Sequence, residues 1–153
     1  MIKDQNVVTD IRDDWKSVRL KQNRIKINTL SAIGKISTQF ADLCYTLILI
    51  YAYSVLHDTL IQLHEEKFFT VTKKDRLLGT LMYASQNVLP WVHFALVDKG
   101  REQRNNVAHE DLVLPRGEIW EYIDAIEREL VSWQIIPDPD TDYSVPYGKR
   151  STP

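Results

Sequence analysis

The segment from residue 98 to residue 111 reads DKGREQRNNVAHED and concentrates arginine, asparagine and histidine in a short stretch. If this segment is helical, Arg101, Asn105 and His109 recur every four residues and share one helix face. Arg104 lies about 140° from His109 around the helix, but its long side chain can reach round the helix or across to a second subunit. These residue types suit chemistry on a phosphodiester.

Histidine exchanges protons near neutral pH, and arginine can hold two phosphate oxygens at once through a charged transition state. Asparagine can orient either side chain. The inferred reaction is metal-independent RNA cleavage, in which one His109 takes the proton from a ribose 2′-hydroxyl and a second copy protonates the leaving 5′-oxygen. A structural interpretation competes with this one, because Arg, Asn and His also solvate and cap helix C-termini, with Arg101 or Arg104 paired to a nearby carboxylate.

Other kinds of active site find little support. Neither GxGxxG nor GxxxxGK occurs, so nucleotide cofactors are not expected. The histidines form no close pair, and although His57 and His64 could meet on one helical face, two histidines leave a metal under-coordinated, so we expect no metal. Solvated histidines at the edge of a bundle are the simpler interpretation. The lone Cys44 lies in an apolar run, which predicts a buried thiol and a poor nucleophile.

The composition indicates a single intracellular domain. A chain of 153 residues can bury one substantial core, and one cysteine with no secretory signal pattern predicts a cytoplasmic protein. A net charge of −2 offers no basic field, so any RNA contact must be local. The uncharged stretch 43–57 is shorter than a bilayer core, so we expect a buried bundle helix and no membrane span.

Apolar residues recur every three or four positions without sustained alternation, which predicts an all-α antiparallel bundle of four or five helices over residues 1–136. Residues 137–153 are rich in proline and polar residues and predict a flexible tail. The first helix begins near Thr9 or Asp10, the second runs from about Ser31 to Phe68, the third follows a capping pair of Thr72 and Asp75, a fourth resumes at Trp91 after Pro90, and the last follows Pro115.

The predicted second helix is apolar nearly all round between Phe40 and Leu56. A helix that is solvent-exposed on one side needs only one apolar surface. We therefore expect one surface of this helix to face the bundle and the other to face a second subunit. This pattern predicts a homodimer. One surface carries Leu43, Leu47 and Ile50, and the other carries Cys44, Ile48, Tyr51 and Val55.

The predicted first helix carries a run of basic residues between Lys16 and Lys26. Lys16, Arg19 and Arg24 are candidate RNA contacts that could offset the acidic residues beside His109. A solvated helix face is the alternative interpretation of the same charges.

The sequence Arg104-Asn-Asn-Val-Ala-His109 resembles the Arg-X4-His motif of HEPN domains, in which Asn commonly follows the Arg and a small residue often precedes the His. The resemblance covers six residues, together with the all-α pattern and the chain length. It implies a dimeric, metal-independent endoribonuclease of a toxin–antitoxin or phage-defence system, with one active site formed where two motifs meet. By matching position, Arg104 and His109 would be catalytic and Asn105 would support them.

Arg101 and Asn106 are added to this site as supporting residues on spacing alone. The chain departs from one HEPN pattern at Asp111. HEPN toxins that are neutralised by nucleotide transfer often carry a tyrosine at this position, two residues after the histidine, so that form of neutralisation is not expected here. The leading hypothesis is a ribonuclease restrained by a protein antitoxin or another regulatory partner. The alternative is a non-catalytic HEPN-like module for dimerisation or interaction within a larger complex, in which Arg104 and His109 are structural.

Overall fold

The computed structural model describes residues 2–31, 38–72, 74, 76–110 and 113–138. Over these residues the chain forms five helices and no strand, which confirms the all-α prediction. The helices are α1 (Gln5–Ser31), α2 (Thr38–Glu65), α3 (Leu78–Ser85), α4 (Phe94–Glu110) and α5 (Arg116–Ser132). A single hydrophobic core extends from Ile2 to Ile136, and only Pro137 and Asp138 of the predicted tail lie within the described residues.

The central helix of the bundle is α2, which packs against each of the other four helices. Leu49, Ala52 and Leu56 on this helix are fully buried. Its position therefore explains most of the all-round apolar pattern without a second subunit, because neighbours cover it from several directions. Leu43 and Leu47 are the exception, since each is more than half exposed near the start of α2.

The segment Ala41–Glu65 of α2 is long and apolar enough to cross a membrane, and half of its most apolar window is buried inside the bundle. Core helices of globular proteins pass the same test, so this is weak evidence for a span. Cys44 is half-buried, and the prediction of a buried cysteine is therefore wrong.

Contacts between side chains fix the directions of the helices. Asp42 of α2 pairs with Arg116 of α5, and one turn further along both helices Tyr45 packs edge-on against Trp120, so α2 and α5 run parallel. The first helix runs the opposite way, because the Arg12 Nε atom near its start donates to the carbonyl of Ile135 beyond the end of α5. The start of α4 also lies against the end of α5, so α4 and α5 run in opposite directions.

Most predicted helix boundaries shift by a few residues, but two starts are wrong. Ser31, the predicted start of the second helix, is the last residue of α1, and α2 begins at Thr38. The third helix begins at Leu78 and not at Thr72, and its N-cap, Leu77, makes no side-chain capping hydrogen bond. Thr72 lies in an exposed bend, and Asp75 falls outside the described residues. The restart after Pro90 and the last helix after Pro115 are confirmed, although α4 begins at Phe94. The first helix begins at Gln5, four residues before the predicted Thr9.

A buried ion pair joins α1 to α5. The Arg19 Nε and Nη2 atoms each donate to the carboxylate of Glu127 at 2.6 Å, and the indole Nε1 of Trp15 donates to the same carboxylate at 2.6 Å. Asp124 accepts a further bond from Arg19 at 2.8 Å. Burial opposes the charge on Arg19, but the hydrogen bonds and negative charges of Glu127 and Asp124 raise the pKa of its guanidinium above the ordinary value.

Candidate active site on helix α4

The start of α4 is fixed by a buried carboxylate of α5. Glu129 accepts hydrogen bonds from the backbone N–H groups of Val92 (2.8 Å) and His93, just before the first helical residue. These donors belong to the turn that begins a helix and lack partners within it. Burial raises the pKa of Glu129, although the two hydrogen bonds and the charge of His93 oppose that shift. The helix that carries the predicted motif therefore has a defined origin.

About two turns further on, Gly100 lets α4 approach the core closely. A Cβ atom at this position would lie 2.1 Å from the Tyr53 hydroxyl and 2.7 Å from the Tyr122 ring. The Tyr53 hydroxyl itself donates to the carbonyl of Val97 at 2.7 Å. Glycine is required here because α4 packs closely against Tyr53 and Tyr122. The glycine at residue 100 therefore reflects a close contact with the core and does not end the helix.

Arg101 is held against the body of the helix. Its Nε and Nη2 atoms both lie 2.8 Å from the Oδ1 atom of Asp98, and Glu102 lies 3.6 Å away. The Tyr83 hydroxyl of α3 donates to the other oxygen of Asp98 at 2.6 Å. The negative charge of Asp98 and this hydrogen bond raise the pKa of Tyr83. Arg101 thus has a fixed position at the junction of α3 and α4.

Arg104 is half-buried and lies one turn after Gly100, on the side of α4 that faces the core. The pKa of Tyr53 is raised, chiefly by burial, and the positive charges of Arg101 and Arg104 are close enough to oppose that increase. Asn105 is exposed and Asn106 is half-buried. The predicted catalytic arginine is therefore half-buried and begins from a different side of α4 than His109.

His109 is exposed at the end of α4. Among the described residues no hydrogen bond joins it to Arg104, as expected for two side chains about 140° apart on one helix. Arg101, Asn105 and His109 do share a face, as their spacing predicts. A single chain thus arranges three of the predicted residues in one line and leaves Arg104 on another side.

The predicted RNA contacts on α1 have different surroundings. Lys16 is exposed, whereas Arg19 is committed to the buried pair with Glu127. Arg24 lines a groove of about 380 Å³ between α1 and α2, with mostly apolar walls that include Cys44 and Leu47. Within the described residues α1 does not pack against α4. The structure therefore does not bring the basic stretch of α1 together with Arg104 and His109.

The two histidines considered for metal binding each contact a backbone carbonyl. His57 Nε2 lies 2.7 Å from the oxygen of Arg76, and His64 Nδ1 lies 3.1 Å from the oxygen of Phe69. The described part of the chain holds no cluster of three or more side chains able to bind a metal ion.

Sequence reasoning missed a cavity beside this site. It measures about 530 Å³ and lies between α3 and the segment that precedes it. Its walls are Thr70, Val71, Thr72, Gly79, Thr80, Tyr83 and Ala84. Scattered threonines carry no motif, so this cavity could not be predicted from the sequence.

Comparison with known proteins yields no relative for this chain: no family model, curated protein or solved structure matches it.

Proposed function

We propose that the protein is a metal-independent endoribonuclease that acts as a symmetric homodimer. The observation that carries this proposal is the arrangement of α4, on which an exposed face presents Asn105 and His109 beside a fixed Arg101. The resemblance of residues 104–109 to the HEPN motif supplies the reaction class. A toxin or phage-defence role in the cytoplasm, restrained by a partner protein, belongs to the same proposal.

A composite site follows from the positions of the two catalytic residues. In one chain Arg104 lies on the half-buried side of α4 and His109 is exposed on another side. The two side chains therefore cannot bind the same phosphate unless the Arg104 side chain extends around the helix. In a dimer, two copies of His109 supply one proton acceptor and one proton donor. An Arg104 from either copy would then stabilise the charge on the phosphorus oxygens.

The reaction needs no water in its first step. His109 of one copy removes the proton of the ribose 2′-hydroxyl, and the 2′-oxygen forms a bond to phosphorus. The bond from phosphorus to the 5′-oxygen breaks, and His109 of the second copy protonates that leaving oxygen. The products are a 2′,3′-cyclic phosphate and a 5′-hydroxyl end.

Exposed leucines at one end of the bundle support the dimer. Leu43 is 54% exposed and Leu47 is 55% exposed near the start of α2. Because α4 begins beside the end of α5 and α5 runs parallel to α2, the end of α4 with His109 lies at this same end of the bundle. A dimer formed through these leucines would bring two copies of His109 to one side of the assembly.

The direct test is cleavage of labelled RNA in EDTA by the wild-type protein, His109→Ala and Arg104→Ala, with analysis of the fragment ends. We expect cyclic phosphate ends from the wild type and a loss of at least about a hundredfold in either variant. This is the lower range for loss of a general acid or base, as in His109→Ala, and for loss of a group that stabilises transition-state charge, as in Arg104→Ala. Glu121→Ala changes an exposed residue of α5 that is not part of the proposed site and serves as the control. Circular dichroism should show that Arg104→Ala, which alters a half-buried position, remains folded.

The pH profile provides a second criterion. If one His109 is a base and its copy an acid, the rate should rise and then fall with pH in a bell shape. A flat profile between pH 5 and 9, or cleavage that survives in His109→Ala, would refute the mechanism.

The exposed leucines also favour the second candidate function, a non-catalytic interaction module. Leu47 lines the groove between α1 and α2, whose walls are largely apolar. Leu47→Glu distinguishes the two. A ribonuclease with a composite site should lose dimerisation and cleavage together in this variant, as measured by sedimentation and RNA cleavage. An interaction module should lose association without ever having shown cleavage.

A further inference from the structure

The cavity beside α3 combines a set of hydroxyl groups with one aromatic wall. Thr70, Thr72 and Thr80 line a space of about 530 Å³, and the wall also includes Tyr83, which is 55% exposed. The described lining residues include no charged side chain. Such walls suit an uncharged polar ligand with a flat surface, for which hydroxyls supply both hydrogen-bond donors and acceptors.

The Tyr83 ring is held in place from two sides. Its hydroxyl donates to Asp98 at 2.6 Å, and its ring meets the Phe94 ring at a centroid distance of 5.4 Å and an angle of 73°. A ring already fixed in one orientation loses little conformational freedom when a ligand stacks on it. Tyr83 is therefore suited to act as a stacking surface.

The cavity is connected to the proposed active site through Gly79 and Arg101. The Cβ position of Gly79, a residue of the cavity wall, is 3.4 Å from the guanidinium carbon of Arg101. Arg101 begins the line that continues through Asn105 to His109, about 12 Å further along the axis at 1.5 Å per residue. A short single-stranded segment can span this distance while its phosphates pass Arg101.

We propose that this cavity is a nucleotide subsite, in which one base of the RNA stacks on Tyr83 while the threonine hydroxyls bind its ribose or base edge. The proposal rests on the proposed ribonuclease function and adds the binding of a nucleotide near the scissile phosphate. Single-stranded RNA fits because its unstacked bases bind aromatic side chains and its 2′-hydroxyls offer extra hydrogen bonds. The charge of Arg101 can attract a phosphate even though Asp98 partly neutralises it.

The test measures binding of fluorescently labelled single-stranded RNA by anisotropy in the His109→Ala background, where the substrate stays intact. Adding Tyr83→Ala should raise the Kd at least about fivefold, the lower range for the loss of one stacked base. Tyr83→Phe keeps the ring and should bind within about twofold of the parent protein, on the same stacking argument. Thr80→Val retains the shape of the side chain without its hydroxyl and should also weaken binding.

Val88→Ala is the matched control, because Val88 is as exposed as Tyr83 and does not line the cavity. Photo-crosslinking of RNA that contains 4-thiouridine gives an independent readout, and the modified peptide should include residues 70–84. Binding by Tyr83→Ala equal to that of the parent, crosslinks confined to other peptides, or no measurable RNA binding would each overturn the subsite.

These results separate the subsite from the catalytic proposal. If the wild type cleaves RNA and Tyr83→Ala binds normally, only the subsite is wrong. If the wild type never cleaves but Tyr83→Ala and Thr80→Val weaken RNA binding, the subsite stands and the ribonuclease function is wrong.

Discussion

Replacement of Arg19 by methionine should destabilise the protein by about 3 kcal/mol, the lower end of the cost of breaking a buried ion pair. The variant removes two hydrogen bonds to Glu127, one to Asp124 and one to the side chain of Gln22, and it leaves a carboxylate that is 7% exposed with Trp15 as its one donor among the described residues. We choose the lower end because the Arg19 side chain is 16% exposed, so water can partly replace the lost donors.

Urea denaturation at a fixed protein concentration measures this loss, and fixing the concentration removes the effect of any dimerisation. Glu127→Gln keeps one acceptor for the Trp15 indole, so the double variant Arg19→Met with Glu127→Gln contains no unpaired buried charge. Its unfolding free energy should exceed that predicted from adding the two single losses by about 1 to 3 kcal/mol. Lys16→Met, at an exposed site of the same helix, should change stability by no more than about 0.5 kcal/mol.

Additive single effects, or a loss below about 1 kcal/mol in Arg19→Met, would refute this account of the ion pair, which predicts a cost several times larger. The same variants test the candidate RNA contacts on α1. If Arg19 serves only the ion pair with Glu127, the folded Arg19→Met variant should bind RNA as tightly as the parent protein in the anisotropy assay. An RNA contact would instead show a weaker dependence of affinity on salt.

Two further predictions concern the elements that position α4. Gly100→Ala should cost about 3 kcal/mol in thermal or urea unfolding, because its methyl group overlaps the Tyr53 hydroxyl and the Tyr122 ring. Gly117→Ala, with open space around its Cβ position, should be neutral or stabilising by up to about 1 kcal/mol; equal effects would contradict the packing argument. Since the pKa of Glu129 is raised on folding, the folded state binds the proton more tightly, and this contribution to stability is lost as pH rises through that pKa. The unfolding free energy of Glu129→Gln relative to wild type should therefore increase from about pH 4 upward, starting near the unfolded pKa, and a pH-independent difference would exclude the effect.

The number and kind of helices could be predicted from the sequence because each helix carries an apolar repeat that must be buried. The start of α3 could not be predicted. Thr72 and Asp75 have the spacing of a capping pair, yet the helix begins at Leu78 without a side-chain cap. Capping residues contribute only about 1 kcal/mol, which packing of the following segment can override.

Part of the candidate site could also be predicted from spacing. Helical periodicity alone places Arg101, Asn105 and His109 on one face of α4. The structural interpretation of the sequence also predicted a carboxylate partner for Arg101 one turn away, and the pair with Asp98 confirms it. Spacing cannot show that Arg19 pairs with Glu127 from a distant part of the chain. Partners separated by a hundred residues depend on the tertiary fold, and an arginine available for RNA has the same local sequence as one buried in an ion pair.

The apolar pattern of α2 shows why the dimer needs a test separate from the fold. A helix that contacts four neighbours must be apolar on several sides, so hydrophobicity along α2 as a whole carries no information about a second subunit. Among the described side chains of α2, from residue 41 onward, only Leu43 and Leu47 are large, apolar and exposed beyond that requirement. If Leu47→Glu stays associated, the exposed leucines are not the interface. A composite site would then have to form through α4 itself, where Asn105 and His109 are already exposed.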